Sequence, residues 1–469
     1  NFLRMTVPFR ICGEMYVLPY LKRDDLVWGM TLLAVIWAWK QIQRWIPLRI
    51  AAMVGLIMGI VYAFLPTLGY LGFRADSAEY LQPYSADSLR TPGYPDFIEW
   101  TIGESGRTGL EYWRSDEGIW ESEAMGEMVF ESSDVRYGDS LLKPIRAQKL
   151  FLLGMFLFVL AVLWKLGDFW LMYGFGMIAL DADFLGVYNE YFMSEVLAQA
   201  LMLLAAGVFL TLIFRRRSEL LIGLGIAAGL TFLVRPAGLV LGLLMFIASG
   251  ALIWGLRTKR TKTLLFVSVG WVAFIGLCSI PGFVILRDSG RFIWIPNANY
   301  VSIANAVQLM DSTDVTEAED EAGRAFLETC LELREKLKES GVQLSQNAAM
   351  WDVAVAAAES MGYDRIQANV LFGKTANRIV LTHASAYRDL IFERIREGLS
   401  RSRIHFGRLS ALTLTGILVL LGLLRWTPYS IAGLTLIALH WSHFLLSMQN
   451  QPERRYIWST EIFFVLGAS

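Results

Sequence analysis

Long apolar stretches dominate this chain and constrain its fold more than any other feature. A helix needs about 20 mostly apolar residues to cross the hydrocarbon core of a bilayer. Stretches that meet this criterion are 48–70, 148–165, 168–186, 195–214, 219–234, 236–256, 264–286, 408–424, 428–447 and 456 onward, with a weaker one at 26–40. The sequence therefore predicts an all-α polytopic membrane protein with a bundle of about 10 or 11 spanning helices.

Composition agrees with a chain that is partly surrounded by lipid. Hydrophobic residues make up 55% of the 469 residues and charged residues only 18%, which is too little charge to solvate a soluble protein of this length. The formal net charge of −1 gives no basic field of the kind that binds nucleic acid. Cys12, Cys278 and Cys330 lie far apart without metal-ligand spacing, and we predict that all three are unpaired.

Basic residues in the short connections predict how the chain is oriented. Clusters follow or precede alternate spans, at Lys40, Arg44 and Arg49, at Lys165, at Arg215, Arg216 and Arg217, and at Arg257, Lys259, Arg260 and Lys262. Counting the crossings places all of these clusters on one side, which is the cytoplasm by the positive-inside rule. The two long polar segments, 71–147 and 287–407, then both lie outside the membrane.

These boundaries divide the chain into five parts. The parts are an N-terminal segment with the first spans (1–70), a first outer loop (71–147), a transmembrane bundle (148–286), an outer helical domain (287–407) and the C-terminal spans (408–469). In the outer domain an apolar stripe repeats at helical spacing: Ala322, Phe326, Cys330, Leu333 and Leu337. We expect this amphipathic helix to pack on the first outer loop or on the bilayer surface.

A second helical stretch of the outer domain runs from about Ala348 to Gly398. We predict interruptions near Gly362 and Gly373, because glycine is a weak helix former. The first outer loop differs in character, since 99–139 contains eleven acidic residues and three arginines.

The segment 73–97 offers the first group of residues that could carry chemistry. Asp76 and Glu79 are three residues apart and share a helical face, so they could form a capping box or take part in catalysis. Arg90 precedes the sequence Thr-Pro-Gly-Tyr-Pro, whose prolines and glycine would hold a guanidinium in a fixed turn. An ordinary loop that enters the next helix is the alternative.

Other polar residues lie at the outer ends of predicted spans. Glu190 and Glu195 precede a helix, where at least one of them could act only as a cap. Asp183 lies at the outer end of the predicted span 168–186, and an acidic residue within a span is a functional candidate. His440 and His443 are three residues apart and could share a metal ion, although two interfacial aromatic residues are the simpler interpretation. We predict no metal site.

Five short motifs occur in a characteristic order along the chain. They are Asp76-Ser-Ala-Glu-Tyr80, Arg90-Thr-Pro-Gly-Tyr-Pro95, Asn189-Glu-Tyr-Phe-Met-Ser-Glu195, the stretch from Gly225 to Gly238 with Arg235-Pro236 near its end, and Glu453-Arg-Arg-Tyr456. In this order and with this topology the chain resembles the GT-C superfamily of polyprenyl-phosphate-dependent glycosyltransferases, which includes protein mannosyltransferases and aminoarabinose transferases. The acidic insertion at 99–139 and the extra apolar stretch at 26–40 depart from that resemblance.

The resemblance implies a site as well as a fold, a GT-C-like transmembrane bundle with extracytoplasmic loop domains. An aspartate of the first outer loop would be the general base, and Asp76 matches that position, with Asp183 as second choice. A departing lipid phosphate requires positive charge, and a planar guanidinium suits it. The expected substrate-binding residues are Glu79, Tyr80, Arg90, Tyr94, Glu190, Glu195, Arg235, Arg454, Arg455 and Tyr456.

The expected activity is transfer of a sugar, with inversion, from a polyprenyl-phosphate donor to a hydroxyl acceptor on a glycan, lipid or protein. The expected location is a bacterial inner or plasma membrane, with an extracytoplasmic site in contact with membrane lipids and without nucleic acid. No cofactor is certain, although a divalent cation is compatible with the site. Two alternatives are a non-catalytic GT-C-like subunit of a larger complex and a transporter of lipids or sugars. A transporter would be expected to show two related halves, which this sequence lacks.

Overall fold

The structure is a computed structural model. It describes residues 8–11, 14–17, 48–64, 80, 84, 91–102, 142–166, 169–180, 194–255, 260–295, 298–342, 344–401, 415–420 and 427–448. The chain divides into two units, residues 1–59 and residues 60–469.

The first unit contains a two-stranded hairpin and the start of a helix. Strands β1 (Pro8–Ile11) and β2 (Glu14–Val17) pair antiparallel, with Phe9 opposite Tyr16. Helix α1 (Leu48–Phe64) begins in this unit and continues beyond Gly59. Large apolar side chains of α1 are exposed along its length, as expected of a helix that faces lipid.

The second unit consists of helices joined by short connections in its described residues, which include no strand. After α1 come α2 (Gly93–Ile102), α3 (Leu142–Lys165), α4 (Phe169–Ala179), α5 (Ser194–Arg215), α6 (Leu220–Val234), a 3-10 turn (Pro236–Leu241), α7 (Gly242–Gly255), α8 (Arg260–Ser289), α9 (Ala298–Leu309), α10 (Ser312–Thr316), α11 (Glu321–Glu339), α12 (346–360, with a π-helical part at Ala349–Val355), α13 (Arg365–Thr382), α14 (Ala384–Arg401) and α15 (Pro428–Ser447). Residues 415–420 are also helical.

Five described helical segments are long and apolar enough to cross a membrane, which is the architecture of a helical membrane protein. They are Lys143–Lys165, Ser194–Arg215, Pro236–Ile253, Thr261–Ser289 and Ser430–Ser447, and they match five of the predicted stretches. The helices at 48–61 and 220–234 are apolar but shorter. The predicted spans at 26–40 and from 456 onward lie outside the described residues.

Helix α5 is the most enclosed of these helices, with buried residues almost continuously from Ser194 to Ile213. Helices α3 and α6 pack along it, and α6 packs in turn on α8. The contact between α6 and α8 depends on small residues, because a Cβ atom at Gly225 would overlap the carbonyl oxygen of Gly270. Such close backbone approach at glycine is a common way for apolar helices to associate in a membrane.

The substitution Gly225→Ala is therefore expected to lower the free energy of unfolding by about 1–3 kcal/mol, because the added methyl group forces two helix backbones apart. Gly223→Ala is the matched control. Its Cβ would meet only Val208 Cγ1, at 4.0 Å. Unfolding in mixed micelles at increasing denaturant checks both variants. Equal stability of the two would show that the α6–α8 contact is not closely packed.

Helices α9 to α13 form a compact domain with its own core. Tyr300, Phe326, Cys330 and Phe372 are buried there together. Most of the predicted stripe on α11 faces this core, since Leu333 and Leu337 also pack against it. The partner of the stripe is thus its own outer segment. The stripe gives no support for packing between the two outer segments.

Local sequence explains where the helices of this domain begin and end. Asp320 caps α11 by accepting a hydrogen bond from the Gly323 backbone N–H at 2.7 Å. Asp364 and Gln367 form a capping box at the start of α13. Gly362, at φ +76°, ends the preceding helix as predicted.

The predicted interruption near Gly373 is wrong, because this glycine lies inside the continuous helix α13. A Cβ atom there would come within 2.7 Å of Asn299 Nδ2, so the glycine allows α9 to approach closely. The helix instead ends at Thr382, with His383 as its C-cap.

Helix α14 connects this domain to the end of span α15. The buried Arg394 donates to Asn305 Oδ1 of α9 at 2.8 Å. On the same helix, Ile395 and Leu399 pack against Phe444 and Met448. The helical domain therefore contacts the bundle at the C-terminal end of α15.

Candidate functional site

Four of the predicted site residues fall within the described part of the chain: Tyr80, Tyr94, Glu195 and Arg235. The others lie outside the described residues: Asp76, Glu79, Arg90, Asp183, Glu190, Arg454, Arg455 and Tyr456. The roles predicted for that second group stay predictions.

Gly93, in the described part of the Arg-Thr-Pro-Gly-Tyr-Pro motif, packs directly against the end of α6. A Cβ atom at Gly93 would lie 2.6 Å from the carbonyl carbon and oxygen of Leu233 and 2.8 Å from the nitrogen of Val234. Only a residue without a side chain allows this approach. The first turn of α2 is thereby held beside the backbone that leads into Arg235.

Tyr80 and Tyr94 extend this contact to α3 and α5. Tyr94 is fully buried and donates its hydroxyl to Gln148 Oε1 of α3 at 2.9 Å. Tyr80 packs edge-on against Tyr94, with ring centroids 4.8 Å apart. The Tyr80 hydroxyl also forms a hydrogen bond with Ser194 Oγ at 2.8 Å, at the first residue of α5.

A buried ion pair lies next to these tyrosines. Arg235 Nη1 is 2.7 Å from Glu195 Oε1, and the two side chains are 17% and 3% exposed. Arg235 has an extended backbone between α6 and the 3-10 turn, as expected before Pro236. A buried pair of this kind requires both partners, because the loss of one leaves an uncompensated charge.

Helix α15 brings two histidines to the same region. His440 and His443 are both buried, and His443 interacts electrostatically with Arg235 and with His440. Aromatic side chains surround His440, which contacts the rings of Trp441 and Phe444. Both histidines thus lie inside the protein, and not at its lipid or water surface.

We define the polar end of the bundle as the buried polar residues at the starts of α3 and α5 and at the end of α15, together with Tyr80, Tyr94 and the partly buried Arg235 that follows α6. Its members are Tyr80, Tyr94, Gln148, Lys149, Ser194, Glu195, Gln199, Arg235, His440 and His443. Ionisable side chains in a membrane-embedded bundle are costly and usually functional.

Sequence reasoning did not identify Lys149, although it is fully buried in α3. A lysine within an otherwise apolar stretch is a signal that could have found it.

Burial keeps the phenols of this region protonated. The pKa of Tyr94 is raised well above its ordinary value, first by burial and then by Tyr80 and Glu195. The pKa of Tyr84 is raised to about 12, mainly by burial and also by Asp96 and Asp288. At neutral pH both hydroxyls therefore remain hydrogen-bond donors.

A second cluster lies in the helical domain, where Asp311, Asp314 and His383 bring ligand-type atoms within 4.8 Å of one another. Asp314 Oδ2 is already engaged, because it is 2.9 Å from His383 Nε2 and accepts the Asp311 backbone N–H at 2.9 Å. Arg378 also donates to the Asp314 carbonyl oxygen at 2.8 Å. A helix cap at the start of α10 that is hydrogen-bonded to the end of α13 explains these contacts more simply than a metal site does.

Comparison of the chain with protein-family models, with curated proteins and with solved structures found no match. The polar end of the bundle provides a largely buried guanidinium, a carboxylate, phenols and imidazoles at one end of an apolar bundle.

Proposed function

We propose that the chain is an inverting GT-C-type glycosyltransferase that moves a sugar from a polyprenyl-phosphate donor to a hydroxyl acceptor. One observation carries the proposal. Residues from four motifs that are distant in sequence meet at the polar end of the bundle: Tyr80, Gly93 with Tyr94, Ser194 with Glu195, and Leu233 to Arg235. The packing of apolar helices does not by itself require polar motifs to meet between them.

In this proposal Asp76 accepts the proton of the acceptor hydroxyl while its oxygen attacks the anomeric carbon. The bond between that carbon and the phosphate oxygen breaks, and the lipid phosphate leaves with the electron pair. Attack from the face opposite the leaving group inverts the configuration. Arg235 supplies positive charge near the departing phosphate, and Glu195 holds its guanidinium in place.

We also propose that the polar end faces the outside of a plasma membrane crossed many times by the chain. The basic residues at the other ends of α3 and α5 support this orientation, since Arg215 donates to the Lys165 carbonyl oxygen at 3.5 Å. An aromatic group of Trp164, Phe169, Trp170 and Tyr173 lies beside Lys165, as is typical of a membrane–water interface.

Thiol labelling tests the orientation. In a cysteine-free background, single cysteines at Ser122 and Ser345 are expected to react with an impermeant reagent added to intact cells. A cysteine at Glu219, which is exposed between α5 and α6, should react only after the cells are opened. Labelling of Ser122 and Ser345 from opposite sides would contradict the proposed topology.

A donor-turnover assay tests the activity. The purified protein in lipid vesicles is given a polyprenyl-phosphate sugar and a mixture of hydroxyl acceptors, and release of free polyprenyl phosphate is measured. Release that depends on acceptor is the expected result. Donor binding without release would favour the non-catalytic subunit, whereas movement of intact donor between leaflets would favour a transporter.

A further inference from the structure

Helix α14 carries a large apolar side chain on its surface. Phe392 lies in the middle of the helix and is 60% exposed. Arg388 and Arg396, four residues before it and four after it, are also exposed. Residues four apart are neighbours on a helix surface, so the three side chains form one row, which we call the Arg–Phe–Arg row. Single apolar residues are common on protein surfaces, so the surroundings of the row decide what it does.

The row lies beside the end of a membrane span. Ile395 packs against Phe444 and Met448 at the end of α15, whose segment Ser430–Ser447 is long and apolar enough to cross a membrane. This contact places Ile395 at the edge of the hydrocarbon core. Phe392 is three residues away, which is about 5 Å along the helix axis. The head-group layer on each side of a bilayer is roughly 5–7 Å thick, so Phe392 lies within one such layer of that edge, whatever the tilt of α14.

The rotation of α14 turns the row away from the helical domain. Successive residues advance by about 100° around a helix. Arg394, which donates to Asn305 of α9, is therefore about 100° from Ile395 in one direction, and Phe392 is about 60° from it in the other. Phe392 is thus on the side of α14 that faces the span and not the domain. Further round the helix comes a row of exposed acidic residues: Asp389, Glu393 and Glu397.

The two arginines of the row are suited to anionic lipid. Arg388 Nη2 is 3.1 Å from Asp389 Oδ1, but the side chains are 65% and 68% exposed. An ion pair that is so exposed is weak, so the guanidinium is able to exchange its partner for a phosphate, which it binds through two parallel hydrogen bonds. Arginines that flank an apolar side chain are typical of helices that lie in the bilayer interface.

We propose that α14 lies on the bilayer surface, where Phe392 inserts among the lipid head groups and Arg388 and Arg396 bind the phosphates of anionic lipids. The inference does not depend on sugar transfer and requires only that α15 crosses the membrane. Through Arg394 and Asn305 the same helix holds the helical domain, so the contact with lipid also fixes that domain close to the membrane.

A nitroxide label measures the depth of each face of α14. In the cysteine-free background the label is attached at Phe392→Cys or, as the matched control, at Glu393→Cys on the acidic row. Each protein is placed in vesicles of phosphatidylcholine and phosphatidylglycerol. The Phe392→Cys label should collide more often with oxygen, which concentrates in lipid, than with a water-soluble nickel complex. The Glu393→Cys label should show the opposite preference, because its row faces water.

Brominated lipids measure which head groups gather beside the row. A fluorophore on Phe392→Cys is quenched by brominated phosphatidylglycerol and by brominated phosphatidylcholine in turn, and the ratio gives the local enrichment of anionic lipid. The double variant Arg388→Gln with Arg396→Gln should lower this enrichment by about 5- to 25-fold, since each arginine near the surface contributes about fivefold. Lys336→Gln with Lys338→Gln is the matched control, because these lysines of α11 are also exposed and paired with carboxylates. It should leave the enrichment unchanged.

Three results would overturn the inference. Both nitroxide labels could prefer the nickel complex, which would place the row in water. The Phe392→Cys label could be shielded from both reagents, which would mean that protein covers the row. The enrichment could survive the double arginine replacement, which would remove Arg388 and Arg396 as lipid-binding residues. All three results would leave the proposed function intact, because donor release is measured separately.

Discussion

Replacing Arg235 with Met is expected to lower the free energy of unfolding by about 3–5 kcal/mol, because it leaves the buried carboxylate of Glu195 without a compensating charge. The double variant Glu195→Gln with Arg235→Met removes both charges and should recover most of that loss. Unfolding of the single and double variants in mixed micelles measures the coupling between the two side chains.

The exposed pair of Lys374 and Asp320 provides the matched control. Their charged atoms are 2.8 Å apart, but both side chains are about half exposed. Water and salt screen such a pair, so Lys374→Met should leave the unfolding midpoint unchanged. If Arg235→Met were as mild as Lys374→Met, the Glu195–Arg235 pair would not be buried as described.

Activity separates the structural role of the pair from its functional role. Arg235→Lys keeps a positive charge near Glu195 but cannot reproduce the planar, bidentate geometry of a guanidinium. Donor turnover should therefore fall in Arg235→Lys even where stability is largely kept. The double variant should be stable and inactive. An active double variant would remove Arg235 from the proposed mechanism.

The membrane-spanning helices could be predicted from the sequence because a bilayer allows few other backbone structures. Within a bilayer the backbone must satisfy its own hydrogen bonds, so an apolar stretch of sufficient length becomes a helix. The stretch 195–214 corresponds to Ser194–Arg215, and 264–286 lies within Arg260–Ser289. Local rules also predicted the amphipathic helix of the outer domain, although not the partner on which it packs.

The ion pair of Glu195 and Arg235 was harder to foresee because it depends on tertiary packing. The sequence offered each residue separately, Glu195 as a possible cap and Arg235 as a candidate for binding the donor. The short connection between α5 and α6 nevertheless indicated that the two residues lie at the same end of the bundle. Helices joined by a few residues run antiparallel, so the start of α5 and the end of α6 must lie at the same end of the bundle.

The close approach of two helix backbones could not be predicted from the helix propensities of single residues. Gly373 was interpreted as a helix breaker, yet α9 packs so near that a side chain would collide with Asn299. Lys149 was missed for a different reason, because a hydropathy averaged over a long apolar window does not single out one charged residue within it. Both errors arise because each helix was considered alone. The residue type at such positions depends on the helix that packs against them.

Asp76→Asn is expected to reduce sugar transfer by roughly a hundredfold or more, which is the contribution that a positioned general base makes. Asp76 lies outside the described residues, so its role rests on the resemblance and on its position four residues before Tyr80, whose hydroxyl group is hydrogen-bonded to Ser194. Asparagine caps a helix about as well as aspartate but cannot accept a proton. The variant should therefore remain folded, with an unchanged thermal midpoint and unchanged affinity for polyprenyl phosphate.

Glu79→Gln is the control for this variant, because glutamine still completes a capping box. It should have a milder effect on transfer than Asp76→Asn. Transfer is measured as sugar moved to acceptor per protein, with donor binding determined on the same samples. If Asp76→Asn transfers at the wild-type rate, Asp76 is only a cap, and the second-choice base Asp183 and then Glu190 become the carboxylates to replace. If none of the three replacements slows transfer, base catalysis by these carboxylates fails as a mechanism, and the Glu195–Arg235 pair belongs to a subunit without catalytic activity of its own.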